Sequence, residues 1–346
     1  MRDKFGRELT YLRVSLIDRC NLRCLYCMPH GLLNPFKEDE LLTMDETAEI
    51  ISIFAELGIS KVRLTGGEPL LKKGVPALIR RIKNFPGPQS LDRGTSVGAM
   101  DSPVISSIRE VVMTTNGVLL KTFAQDLKEA GLDRINVSLD TLDRENFKRI
   151  TGLDKLDDVL NGIEAAWKAG IEPIKINTVL MKGTNDKEIM DLVQFAVERA
   201  FQIRFIEWMP TAGEIHSVRE RRFLSSEFAK RLIEERYRLT PDDSNPHAPA
   251  RSFYIEGTKS RVGFISPLSN AFCSMCNRLR LKANGMMKTC LHGKEDLDIK
   301  SILRQGIPRE EIKENISSVA FDRPEEHFLN NPAVPHNDFV MTAVGG

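Results

Sequence analysis

Tyr11-Leu12-Arg13-Val14-Ser15-Leu16, followed three residues later by Cys20-Asn21-Leu22-Arg23-Cys24-Leu25-Tyr26-Cys27, is the stretch that decides the fold. Its first part is a β-type run. Its second part places three thiols at the C-terminal edge of that run, where enzymes built from β–α units carry their chemistry. Similar runs predict strands at 61–65, 110–115, 134–139, 174–180 and 203–207, with helical patterns between them. Thr43-Met44-Asp45-Glu46 is a capping box ahead of a helix that Gly58 closes. Further helices are predicted over 118–130, ending at Gly131, and over 158–169, ending at Gly170. Asn185-Asp186-Lys187-Glu188 predicts the cap of another, reaching about Ala200. Six strand–helix repeats imply an α/β protein with a parallel sheet and helices outside it. An open doubly wound sheet and a curved partial (β/α) barrel both satisfy this alternation.

Two stretches interrupt the pattern. Residues 85–107 carry three prolines and three glycines without any clear period, and read as a mobile surface insertion. Residues 241–250 carry three prolines and two aspartates and read as a linker. The expected domains are therefore 1–240 and 241–346, the second smaller and of α+β type.

Composition sets wider limits. Of 346 residues, 41% are hydrophobic and 28% charged, which excludes disorder for the bulk of the chain. A net charge of +1 argues against a general nucleic-acid coat, though not against a local basic pocket. No apolar run is long enough to span a bilayer, and Met1–Glu8 has no apolar signal core. The expectation is a cytoplasmic protein with no membrane and no nucleic-acid partner.

The six cysteines fall in two groups, Cys20/Cys24/Cys27 and Cys273/Cys276/Cys290. In a reducing compartment clustered thiols are more often metal ligands than bridges. C-x3-C-x2-C can hold three irons of a [4Fe–4S] cluster, leaving the fourth iron open to a small chelating molecule. The alternative is a zinc site completed by His30. The second group reads C-x2-C-x13-C, and by spacing alone zinc with His292 is the favoured reading there. Gly66-Gly67-Glu68-Pro69 follows the second strand, where two glycines permit close backbone approach and a carboxylate can accept from an ammonium group.

The cysteine motif with Tyr26 before its last thiol, together with Gly66-Gly67-Glu68-Pro69, resembles the radical S-adenosylmethionine (SAM) superfamily. Cys273-Ser274-Met275-Cys276-Asn277-Arg278-Leu279-Arg280-Leu281, with Cys290 later and Gly345-Gly346 in the tail, resembles one family within it, the GTP 3′,8-cyclases of molybdenum cofactor biosynthesis. Shared segments also include Phe5-Gly6-Arg7, residues 62–71, Thr114-Thr115-Asn116-Gly117, residues 134–140 and residues 204–210; the long segment 85–107 departs from the family.

The resemblance implies a partial (β/α)6 TIM-like barrel and a C-terminal region carrying a second [4Fe–4S] cluster, whose open iron binds the guanine of GTP. It implies that the first cluster splits SAM to a 5′-deoxyadenosyl radical. That radical takes the ribose C3′ hydrogen of GTP, and C3′ attacks guanine C8. On this basis Gly66, Gly67, Glu68, Tyr26, Ser138 and Met209 are expected at SAM. Arg13, Lys61, Arg63, Thr114, Lys175, Arg204, Arg278 and Arg280 are expected at GTP, with Gly345 and Gly346 entering the site. GTP carries about four negative charges, so a chain near neutrality must gather cations locally. Lys61 and Arg63, like Arg278 and Arg280, are two apart and so share one face of a strand. The implied partners are a protein reductant and a downstream cyclic pyranopterin monophosphate synthase, with a homodimer as candidate assembly. Two rival readings are a different radical SAM protein, such as a peptide-modifying maturase, and a zinc-stabilised binding protein without catalysis.

Overall fold

A computed structural model describes residues 1–28, 35–85, 108–209, 222–244, 248–327 and 341–345. The expected insertion, apart from Phe85, lies outside these residues, as do His30 and Gly346.

The six expected strands are present in sequence order: β1 (Tyr11–Ser15), β2 (Lys61–Thr65), β3 (Glu110–Thr115), β4 (Arg134–Ser138), β5 (Ile174–Leu180) and β6 (Gln202–Glu207). All neighbours in this series pair in parallel. Helices α1 (Met44–Glu56), α2 (Val75–Lys83), α3 (Leu120–Glu129), α4 (Arg144–Thr151), α5 (Leu156–Lys168) and α6 (Ile189–Glu198) lie between them. The capping box of α1 forms as expected: Thr43 Oγ1 accepts from Glu46 N, and Glu46 accepts from Thr43 N.

One expected cap does not form. Asn185 does not start a helix, because its side chain is already committed elsewhere. Its amide donates to Asp140 O and Val179 O, and its oxygen accepts from Met181 N. It staples the turns after β4 and β5, and α6 begins only at Ile189.

The strands alternate, with Val112, Val179 and Ile206 as apolar exceptions on the inner face. Leu12, Val14, Val62, Leu64, Val111, Met113, Ile135, Val137, Ile174, Ile176, Ile203 and Phe205 are buried against the helices. Each such side chain contributes roughly 1.5–3 kcal/mol of burial. The opposite face carries Arg13, Arg63, Thr114, Asn136, Ser138, Lys175, Asn177 and Arg204. The inside of the curve is therefore a polar chamber.

The rest of the chain extends this sheet at both edges. β9 (Arg261–Ile265) pairs in parallel with β6, and β8 (Arg251–Ile255) and β7 (Leu239–Asp242) follow antiparallel. β10 (Arg278–Leu281) pairs in parallel with β1, and β11 (Met286–Lys288) and β12 (Leu297–Asp298) follow antiparallel. The result is one 12-stranded sheet in which eight parallel strands form an open barrel wall. Pro241, expected to begin a linker, lies in β7, an edge strand where a missing N–H is tolerated. The expected break at 240/241 thus falls inside a strand. Helices α7 (Ser226–Glu234), α8 (Ile299–Arg304), α9 (Arg309–Phe321) and α10 (Met341–Val344) complete the described fold. Among the described residues, no helix is long and apolar enough to cross a membrane.

Candidate active site

The two cysteine groups meet at one cavity. A chamber of about 660 Å³ on the polar face of the sheet is lined by all six cysteines. Topology sets them at opposite ends of it. Cys20, Cys24 and Cys27 follow β1, at its C-terminal edge, whereas Cys273 and Cys276 precede β10, its parallel neighbour, at the N-terminal edge.

The wall between them is cationic, and strand register explains why. Arg280, Arg13 and Arg63 are direct partners across β10, β1 and β2. One level nearer Cys276, Arg278, Tyr11 and Lys61 are partners in the same way. Lys175 and Arg204 reach the chamber from β5 and β6, and Thr114 from β3. All eight side chains expected at GTP therefore line the same space. Arg134, at the start of β4, joins them. It sits two residues before Asn136 and four before Ser138, so the alternation that singled out Lys61 and Arg63 also points to Arg134.

Burying this many cations is costly, and the protonation equilibria show it. Burial, reinforced by Arg204, Arg134, Lys61 and Arg63, pushes the Lys175 ammonium down to about 6. Burial likewise lowers Lys61 to about 8. Two groups offset this charge: Glu110, whose carboxylate lies 2.6 Å from Lys61 Nζ and also pairs with Arg134, and Tyr11. Burial pushes its phenol up, but Arg63, Arg13 and Lys61 outweigh that and bring it to about 7. Arg63 Nε donates to the phenol oxygen. The tail also reaches these cations, since Gly345 O accepts from Arg13 Nη2 at 3.1 Å and from Arg280 Nη1 at 3.0 Å.

Each trio supplies three thiols, the ligand set of a [4Fe–4S] cluster with one open iron. Among the described residues, no three His, Cys, Asp or Glu side chains are grouped to hold one metal ion. All six cysteines are free thiols. Burial, with Cys27, Asp140 and Cys20 adding repulsion, pushes Cys24 well above the ordinary thiol range, and burial raises Cys20 and Cys27 too. Thiolates there call for a positive group in their midst, which a cluster's irons would supply. At the far end, burial also pushes Cys276 up, but Arg278 and Arg323 outweigh it and bring the thiol to about 6.

Of the residues expected at SAM, Tyr26, Gly66, Gly67, Ser138 and Met209 line the chamber. Tyr26 Oη donates to Asp140 Oδ2 at 2.7 Å. Glu68 does not line it. Its carboxylate is fully buried and accepts from Thr115 Oγ1 and Asn116 N, each at 2.8 Å, and from Leu70 N at 3.1 Å. It anchors the turn after β2 to the end of β3.

The glycines allow close approach, but to protein. Gly67 N donates to Ile17 O at 2.7 Å and Glu68 N to Arg19 O at 2.9 Å, zipping this turn onto the loop that delivers Cys20. A Cβ on Gly67 would lie 2.1 Å from Arg19 O. Gly67→Ala is accordingly expected to destabilise the fold by at least about 1–3 kcal/mol, read as a lowered Tm. An unchanged Tm would contradict the zipped geometry.

The fold and the paired trios define the class. The family model described as the Radical SAM superfamily matches residues 14–196, and the one described as Molybdenum Cofactor Synthesis C matches residues 201–329. The solved structure of Streptococcus suis SuiB bound to precursor peptide SuiA shares the fold, with TM-score 0.60 and 15% identity over 92% of this chain and 66% of that one. The GTP 3′,8-cyclase of Thermodesulfovibrio yellowstonii is 42% identical over 100% of both chains. That of Alkaliphilus metalliredigens is 39% identical, again over 100% of both. The chain belongs to the GTP 3′,8-cyclase family.

Proposed function

We propose that this protein converts GTP to (8S)-3′,8-cyclo-7,8-dihydroguanosine 5′-triphosphate, the first step of molybdenum cofactor biosynthesis, with SAM and two [4Fe–4S] clusters as cofactors. The observation that carries the reading is the single chamber walled by cations and bounded at its two ends by a cysteine trio. When bound, the N-terminal cluster and SAM supply the carbon radical that removes the ribose C3′ hydrogen and lets C3′ close on guanine C8. Incubating reconstituted protein with GTP, SAM and a reductant should give that product. A protein that binds zinc, without iron, sulfide or brown colour, would remove the reading.

The chain's own part is to hold, orient and shield. Cys20, Cys24 and Cys27 would hold the SAM-binding cluster, and Cys273, Cys276 and Cys290 the guanine-binding one. Tyr26, Gly66, Gly67, Ser138 and Met209 would form the SAM wall, while Glu68 would act by fixing the turn beneath it. Arg13, Lys61, Arg63, Lys175, Arg204, Arg278 and Arg280, with Arg134, would neutralise the triphosphate, and Thr114 would offer GTP a hydroxyl. Each charge-assisted hydrogen bond is worth roughly 1.5–3 kcal/mol. Enclosing the substrate in a walled chamber keeps water from the reacting carbon. In this division of labour residues 1–240 supply radical generation, and residues 241–346 the second cluster and the tail. A protein reductant, a downstream cyclic pyranopterin monophosphate synthase, a homodimer and a cytoplasmic setting complete the proposal.

The depressed Lys175 makes a measurable claim. In the empty chamber at pH 7.5 it is mostly neutral. A triphosphate favours its charged form, so its pKa rises on binding and GTP uptake draws in a proton. Affinity therefore falls as pH rises above about 6. Calorimetry in two buffers of different ionisation enthalpy should show the uptake, and Lys175→Arg, which stays charged, should reduce it by close to one proton. Identical uptake in both proteins would exclude Lys175 as the carrier.

A further inference from the structure

Asp3, Arg7 and Arg323 form a buried bracket behind the C-terminal cysteine group, outside the chamber wall. The Arg323 guanidinium, 3% exposed, follows α9. Its Nη2 donates to Cys276 Sγ at 3.3 Å, and its Nη1 to Cys276 O at 3.1 Å. Asp3, near the N-terminus, sits 3.7 Å from Arg323 Nε and 2.6 Å from Arg7 Nε. Asp3 is itself held by Phe5 N and Arg7 N, at 3.0 and 2.9 Å. Arg7 completes the loop by donating to Cys273 O at 2.9 Å and to the carbonyls of Glu325 and Pro324, at 2.6 and 2.8 Å. Two guanidiniums thus share one carboxylate, leaving a net positive charge against the Cys276 sulfur.

Arg278 also approaches Cys276 Sγ, at 3.5 Å, but it lies on β10 and faces the chamber. Arg323 lines no part of the chamber, so its position answers to the cysteine loop and not to the substrate.

Resting on the reading that this trio holds a [4Fe–4S] cluster, we propose that Arg323, oriented by Asp3 and Arg7, is a positioning residue that raises the reduction potential of that cluster through Cys276. A reduced cluster carries one more negative charge than an oxidised one. A buried cation and a hydrogen bond to a ligating sulfur both favour the reduced form. The fork geometry matters as well as the charge, because one guanidinium fixes the sulfur and the backbone of the same cysteine.

The test uses the full chain with Cys20, Cys24 and Cys27 all changed to alanine, so that only the C-terminal trio can load. Its potential is followed by redox titration with electron paramagnetic resonance, alongside iron and sulfide content. Arg323→Gln should keep the cluster but lower the ratio of reduced to oxidised form at a fixed potential about tenfold, equivalent to a shift of about 59 mV for one electron. Arg323→Lys, which keeps the charge but loses the fork, should give a smaller shift in the same direction. An unchanged potential in a loaded Arg323→Gln protein would overturn the proposal. So would failure of both variants to take up iron, since Arg323 would then serve assembly. If the parent carries no cluster, it is the cluster reading of the trio that fails.

Discussion

Cys24→Ala should leave a folded protein that no longer cleaves SAM. Cys24 is packed at the edge of the main core and has no disulfide partner, and its thiol interacts electrostatically with Cys20 and Cys27. Alanine fills most of that space, and the backbone bonds from Cys27 N and Met28 N to Cys24 O, at 2.9 and 3.0 Å, need no side chain. The loss falls on the metal site, where one of three anchoring thiolates disappears. Removing even an outer hydrogen-bond partner of a metal ligand costs about 10–100-fold in affinity or activity. Removing a ligand should exceed that and take 5′-deoxyadenosine formation below detection. Iron content should fall towards the share of the C-terminal trio, while circular dichroism stays that of the parent. Parental SAM cleavage in this variant would remove the N-terminal trio from the chemistry.

Arg280→Ala should separate the two halves of the reaction. Arg280 stands in the register row with Arg13 and Arg63, away from the cysteines that follow β1. SAM cleavage should therefore persist while cyclisation is lost. Truncating one partner of a buried, hydrogen-bonded charge pair typically costs 2–5 kcal/mol, or about 30-fold upward in turnover of GTP. The tail should loosen as well, because Arg280 Nη1 holds both Val344 O and Gly345 O. The check is the ratio of cyclised product to 5′-deoxyadenosine. A ratio equal to that of the parent would show that Arg280 does not serve the substrate.

Much of this architecture is legible in the amino-acid sequence alone. The six strands announced themselves because a strand buried on its helix side needs Val, Ile and Leu at every second position. The polar residues between them then had to face inward. The cysteine groups were legible as sequence clusters, and their common chamber followed from the family resemblance. What escaped was set by distance along the chain. Nothing near Tyr11 says that Arg278 will be its neighbour, and nothing near Asp3 points to Arg323. The enclosure of Glu68 is hidden for a different reason. A strand-end carboxylate looks free to meet a ligand until the donors that enclose it, Thr115 and Asn116, arrive from the next strand. Asn185 misled similarly, since a residue suited to capping is equally suited to tying two turns together.

The seating of β10 beside β1 bears on how this protein comes to be made. Thr10 Oγ1 accepts from Asn277 Nδ2 across 267 positions, and the first strand has no neighbour on that side until the last quarter of the chain has left the ribosome. Through most of translation the nascent barrel therefore presents an unpaired edge, the kind of surface that recruits other strands and aggregates. A message truncated before codon 278 would yield a chain with that edge permanently open, so heterologous expression should favour slow synthesis and chaperone supply over sheer yield.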